Sequence, residues 1–200
     1  MMNIQEHYTR RLTRRHPGLF IILLDQSGSM GELVDGQNSK ASFATTAINN
    51  LIFEMINKAP IDVKGQRKKY TYLSVLGYND TVYPLFSTEL ADVPSLAENP
   101  AGTVPIVRDV YDSFASSYRR VSENRPFWIR PEARGKTQMA EAFGKARDMA
   151  RLWLSQIPEP GQASRQECFP PVIINITDAQ ANGRGDPIAI TQEIQREGSS

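Results

Sequence analysis

The chain of 200 residues has one cysteine, two histidines, almost no net charge and no long apolar run, and each scarcity removes a class of explanation. The lone Cys168 excludes an intrachain disulfide framework and any zinc or iron–sulfur site built from several cysteines. With no histidine nearby, it reads as a small core or loop residue rather than a nucleophile. His7 and His16 stand in a polar leading segment without a serine motif or partner acid, so serine or zinc hydrolysis has no support and both are expected to be solvated. The 23 basic residues nearly cancel the 22 acidic ones, so the global balance calls for neither a nucleic-acid nor a membrane partner. Leu19 to Leu24, the longest early apolar run, is too short for a membrane span or signal core and ends in Asp25. A cytoplasmic protein is the expectation.

What is present reads as one α/β domain over residues 18–200, preceded by a basic N-terminal arm over 1–17 that a solvated role explains. Gly18 to Asp25 is a continuous apolar run, the pattern of a strand buried on both faces of a parallel sheet. Ser39 can N-cap a helix that carries Phe43, Ala44, Ala47, Ile48, Leu51, Ile52 and Met55 at spacings of three and four. Tyr70–Tyr78, the turn residues Asn79-Asp80 and Thr81-Val82-Tyr83 make a hairpin with a short edge arm. Ser87 to Pro105 reads as mostly loop, followed by a helix with Val107, Val110, Tyr111, Phe114 and Tyr118 on one face. A long helix follows Thr137, marked by Met139, Ala142, Phe143, Ala146, Met149, Trp153 and Ile157 and stopped by Pro158 and Pro160. Pro171 to Asp178 is another buried strand, and Asp186-Pro187 caps a last helix.

Alternating strands and helices imply a mostly parallel sheet, doubly wound, with one short antiparallel edge strand. Right-handed crossovers place the Gly18 strand centrally, with the Tyr70 hairpin on one side and the Val172 strand on the other. Ligands of such sheets bind at the carboxyl ends of the strands beside the switch in winding, where both Asp25 and Asp178 fall. In Asp25-Gln26-Ser27-Gly28-Ser29, side chains at alternate positions can face one point. Carboxylate and hydroxyl oxygens suit a hard cation such as Mg²⁺, and Thr137 and Asp178 could complete a half-site begun by Asp25, Ser27 and Ser29. The competing reading makes Asp25 and Asp178 helix caps and lets the serines bond turn backbone.

These residues resemble the von Willebrand factor A domains, whose metal-ion-dependent adhesion site reads Asp-x-Ser-x-Ser, a distant Thr and a strand-terminal Asp. The resemblance runs from Pro17 to the last helix, and Phe127–Phe143 with Ile174–Pro187 looks most like bacterial intracellular members. It implies a three-layer Rossmann-like fold and bound Mg²⁺ or Mn²⁺. It also implies Ser27 and Ser29 as direct ligands, Thr137 direct or through water, and Asp25 and Asp178 as ligating or water-mediated acids. A protein partner would offer a carboxylate to the metal, without catalysis by this chain. The alternative it leaves is a scaffold subunit of an ATPase-, chelatase- or stress-response assembly, associated with a kinase or phosphatase, with a mainly structural metal. Family sheets gain further strands after the last helix seen here, so the domain is expected to be C-terminally incomplete or to have the Val172–Ile176 edge covered by another protein. Ser87–Arg130 is longer than the family needs and is where partner specificity is expected.

Departures from the family pattern are Lys136 and Ala179, where many relatives have glycine, and Gln180, where an acid is frequent. Lys136 either weakens cation binding or meets the partner's carboxylate, unless it points outward into solvent. Other chemistries fail on particular residues. A haloacid-dehalogenase phosphatase needs an acid where Ser27 stands, and a P-loop needs glycine where Arg130 stands. Arg184-Gly185-Asp186 spells an adhesion tripeptide, but Asp186 is better explained as a cap. Tyr70, Tyr72, Tyr78 and Tyr83 near Lys64, Arg67, Lys68 and Lys69 imitate a nucleic-acid surface, although strand aromatics are usually packed.

Overall fold

The computed structural model describes residues 12–13, 16–156, 169–178 and 185–198. The readings placed on most of the basic arm, His7, Pro158 and Pro160, Cys168, Ala179, Gln180 and Arg184 therefore lie outside the described residues.

The central strand β1 (Gly18–Asp25) is parallel to β2 (Thr71–Tyr78) on one side and to β7 (Val172–Ile176) on the other. Two short segments, β3 (Val82–Pro84) and β4 (Ala91–Asp92), pair antiparallel with the two ends of β2. The antiparallel edge is thus in two pieces rather than the one expected, because the chain leaves the sheet at Leu85 and returns at Ala91. Helix α1 (Lys40–Lys58) starts where Ser39 accepts a hydrogen bond from the Ser42 N–H, as its sequence suggests. Asp92 caps the one-turn α2 (Val93–Leu96), and α3 (Met139–Ser155) and α4 (Pro187–Gly198) complete the helices.

The period of two along β1 divides the core. Ile22 and Leu24 pack with Leu73 and Val75 against Ile48, Ile52 and Ile56 of α1. Leu19, Ile21 and Leu23 pack with Leu76 and Tyr78 against Met139, Ala142, Ala146 and Trp153 of α3. Helices on both faces make three layers, the Rossmann-like architecture that the family resemblance implied. Phe43 and Leu51, expected inside, are instead partly exposed, since the buried stripe of α1 runs through Ala41, Thr45, Ile48, Ile52 and Ile56. The strand β7, expected to be buried on both faces, is only half-buried, with Ile174 exposed, because no strand flanks its outer edge among the described residues.

The largest correction concerns residues 102–127. The expected helix is a β-hairpin, β5 (Gly102–Asp112) and β6 (Ser117–Phe127), paired in register from Gly102↔Phe127 to Asp112↔Ser117. The spacing of Val107, Val110, Tyr111, Phe114 and Tyr118 imitates a helix, but Thr103, Val104, Ile106, Val107, Val110 and Val121 are β-branched and favour a pleat. Asp112 builds the turn by accepting from the Phe114 and Ala115 N–H groups. Pro105 and Pro126 are tolerated because each strand of a two-stranded ribbon is an edge. At its base, Asn49 of α1 accepts from the Trp128 and Ile129 N–H groups and donates to the Ile129 carbonyl, which fixes where the chain departs toward Thr137.

Candidate metal centre

The end of β1 delivers Asp25 into the interior, and the chain turns sharply after it. Asp25 is fully buried, and its Oδ1 accepts the Ser27 N–H at 2.9 Å. Its Oδ2 accepts the Thr177 hydroxyl at 2.7 Å. Thr177 went unnoticed in the sequence; register places it there, since Leu24 pairs with Ile176 and the next residues, Asp25 and Thr177, meet across the strands. The competing reading makes Asp25 a helix cap and has the serines bond turn backbone; instead it is Asp25 that bonds turn backbone, at the Ser27 N–H. Ser27, however, makes no side-chain cap bond at the short 3-10 turn Gly28–Gly31, and its Oγ lies 3.2 Å from the Ser29 Oγ. Two hydroxyls therefore converge at the turn whose backbone a buried carboxylate holds. Ser27 is buried and Ser29 half-exposed, which leaves the cluster open on one side.

Thr137 is buried and is brought over by its loop. The Arg134 N–H donates to the Gln26 carbonyl at 2.8 Å, the Gly28 N–H to the Gly135 carbonyl at 3.1 Å, and the Gln138 N–H to the Asn79 carbonyl at 3.1 Å. Gly135 has φ +75°, and a Cβ there would run into the Asp80 carboxylate, which holds the Lys136 N–H. Only glycine fits this crossing without strain. Lys136 itself is exposed, in keeping with an outward lysine.

Asp178 lies two residues beyond β7, with its side chain mostly buried. Its Oδ2 takes the ammonium of Lys40 at 3.1 Å, and the same ammonium reaches Glu32 Oε2 at 2.6 Å. The hydrogen bonds that the ammonium donates, first to Glu32 and then to Asp178, raise the Lys40 pKa above its ordinary value. Tyr78, beside the site, donates to Asn175 Oδ1 at 2.9 Å. Burial first, then the charge of Asp25 and, more weakly, of Asp178, push its phenol well above the usual range, so it stays a neutral donor. Gln26 turns away from the cluster and accepts from the Tyr83 hydroxyl at 2.8 Å.

The candidate ligands are two carboxylates and three hydroxyls, with no nitrogen or sulfur among them, a chemistry that would suit a small hard divalent cation rather than a soft one. The described residues contain no group of three or more His, Cys, Asp or Glu side chains, so such an ion would depend on the hydroxyls. Asp25 supplies the strongest sign of fit: both its oxygens are met by neutral donors, and a buried charge is costly without a compensating cation.

Several other residues singled out in the sequence have structural partners. Tyr78 is fully buried and Tyr72 packs edge-on to Trp153, while Arg67 donates to the Ile56 carbonyl and Lys69 pairs with Asp92. Asp186 Oδ1 accepts the Ile188 N–H at 2.9 Å, as a cap should. His16, expected to be solvated, is half-buried. No helix among the described residues is long and apolar enough to cross a membrane.

No protein-family model matches the sequence, and no curated protein does either. The fold is similar to a solved structure of proximal thread matrix protein 1 from the mussel byssus, with TM-score 0.51 and 12% identity over 92% of this chain. A second structure of that protein, described as having a zinc occupied MIDAS motif, aligns with 94% of this chain at 15% identity and TM-score 0.45. This chain spans 36% and 35% of those two chains, about a third of their length. At such identities the likeness extends to the fold alone.

Proposed function

We propose that the chain is a metal-dependent protein-interaction module of the von Willebrand factor A type. In this reading Asp25, Ser27, Ser29, Thr137 and Asp178 hold one Mg²⁺ or Mn²⁺, and an acidic side chain of a partner protein completes the site. The observation that carries it is the fully buried Asp25, which accepts from two neutral donors among the described residues and holds the backbone of Ser27, whose hydroxyl meets that of Ser29. When bound, a divalent cation supplies an electrophilic docking point that a partner's carboxylate can share.

This chain's own residues do the preparation. Asp25 uses Oδ1 to hold the Ser27 backbone, which fixes the direction of the Ser27 hydroxyl, and Thr177 fixes the carboxylate from the other side. The loop bonds from Arg134 and Gly28 hold Thr137 over the same end of the sheet. Half-exposed Ser29 lies on the open side, where a partner approaches. The five residues bind and orient, and no bond-breaking step is assigned to them.

The test is a calorimetric titration of EDTA-stripped protein with Mg²⁺ and with Mn²⁺, run beside Ser27→Ala. One saturable site that disappears in the variant is expected. A folded protein that takes up neither ion refutes the reading.

A further inference from the structure

Lys40 occupies a position that helix electrostatics disfavours. It is the first residue of α1, where the exposed N–H groups and the helix dipole repel a cation. Its ammonium is nonetheless held inward between two carboxylates, 2.6 Å from Glu32 Oε2 and 3.1 Å from Asp178 Oδ2. The intervening chain is built to keep it there. Leu33 and Ser39 bridge, the Val34 N–H donates to the Asn38 carbonyl at 2.8 Å, and Asp35 ties the turn by accepting from Gln37 and Asn38. The Lys40 N–H closes the loop on the Glu32 carbonyl at 3.0 Å. Glu32 and Lys40 are therefore locked to each other through both backbone and side chain, and the shared ammonium reaches across 138 residues of sequence to Asp178.

We propose that Lys40 is the resident cation of this site, neutralising Asp178 when no divalent ion is bound and withdrawing wholly onto Glu32 when one is. The inference rests on the metal reading above and deepens it: Lys40 and Glu32 set the affinity of the site, in opposite directions. The ammonium and a divalent ion compete for the same carboxylate, and like charges this close repel. Glu32 is mostly exposed and holds the shorter of the two contacts, so it offers the ammonium a place to stay without carrying the lysine into the interior. Removing the lysine takes an ammonium away from Asp178 Oδ2, and a metal ion would restore positive charge there. Removing the Glu32 charge leaves the ammonium with Asp178 alone and tightens its hold there.

The experiment is a set of Mn²⁺ titrations on chelator-stripped wild type, Lys40→Met, Lys40→Arg, Glu32→Gln and Ser27→Ala, with thermal melts of each in EDTA. Lys40→Met should bind Mn²⁺ roughly three- to tenfold more tightly than wild type, the range left after solvent screening of a partly exposed pair. Glu32→Gln should bind more weakly, and Lys40→Arg should stay near wild type. In EDTA, Lys40→Met should melt below wild type, and Mn²⁺ should close that gap. Affinities within twofold of wild type for both Lys40→Met and Glu32→Gln, with Ser27→Ala abolishing binding, would overturn the role of Lys40 and leave the metal site standing. No saturable binding by any of the folded proteins would overturn the metal reading and this inference together.

Discussion

Replacing Thr177 by valine removes one hydroxyl and keeps the branched shape, so the packing at the end of β7 changes little. The hydroxyl lost is the donor 2.7 Å from Asp25 Oδ2. Asp25 is fully buried, and water cannot take the place of the missing donor. A hydrogen bond to a charged group contributes about 1.5–3 kcal/mol, and an abandoned buried acceptor forfeits most of it. In a domain of this size each kcal/mol lowers Tm by about 2–4 °C, so Thr177→Val should melt about 3–12 °C below wild type in EDTA. With saturating Mn²⁺ the gap should narrow, because the variant's uncompensated carboxylate gains more from a cation than the wild type's does. Paired thermal melts, with chelator and with metal, read both effects. A Tm within about 1 °C of wild type in EDTA would show that Asp25 does not depend on this donor and would remove the argument from its buried charge.

Gly135→Ala places a methyl against the Asp80 carboxylate at φ +75°, and such strain costs about 1–3 kcal/mol; denaturant titration should show that loss, and Mn²⁺ affinity should fall as Thr137 is displaced. Burial opposes ionisation of Asp92, but hydrogen bonds from Ser95 and the Lys69 ammonium outweigh it and lower its pKa. Its stabilising contribution is therefore present above the ordinary Asp value of about 4 and lost as pH falls through the lower folded value. The stability gap between wild type and Asp92→Asn should accordingly be open at pH 7 and narrow as pH falls below the ordinary Asp range, and a gap independent of pH would contradict the ionised cap. Ile52→Ala, in the middle of the β1–α1 core, should cost about 2–5 kcal/mol by denaturant unfolding. Phe114→Ser at the tip of the β5–β6 hairpin, where the ring is fully exposed, should change stability by less than about 0.5 kcal/mol.

Much of the sheet was legible because its signals are local. The unbroken apolar run of β1 has no polar face to show, and both of its faces are buried. Ser39 announced α1, and the three-four spacing of Met139, Ala142, Ala146 and Trp153 announced α3, whose buried face contains all four. The β5–β6 hairpin was not legible, because its exposed apolar residues happen to recur at helical intervals. A ribbon with little core behind it lacks the strict in-out alternation that marks a strand. The half-burial of β7 has no local signal, since an apolar strand reads alike at the centre of a sheet and at its rim; only the family resemblance, with its further strands, pointed to an open edge there.

The candidate ligands Asp25, Ser27 and Ser29 were determined by sequence alone, because three residues at alternate positions after a buried strand can reach one point whatever lies around them. Tertiary structure decided the rest. The β1–β7 register brought Thr177 onto Asp25, and the bonds of Arg134 and Gly28 carried the Thr137 loop over the strand end. The lysine that touches the site is Lys40 rather than Lys136, because the closed loop from Glu32 aims it at a carboxylate that only the parallel pairing of β1 with β7 brings near. Local spacing fixes which atoms can face the same way. Pairing between distant strands fixes which charges meet, and that is set by the packing of the whole sheet.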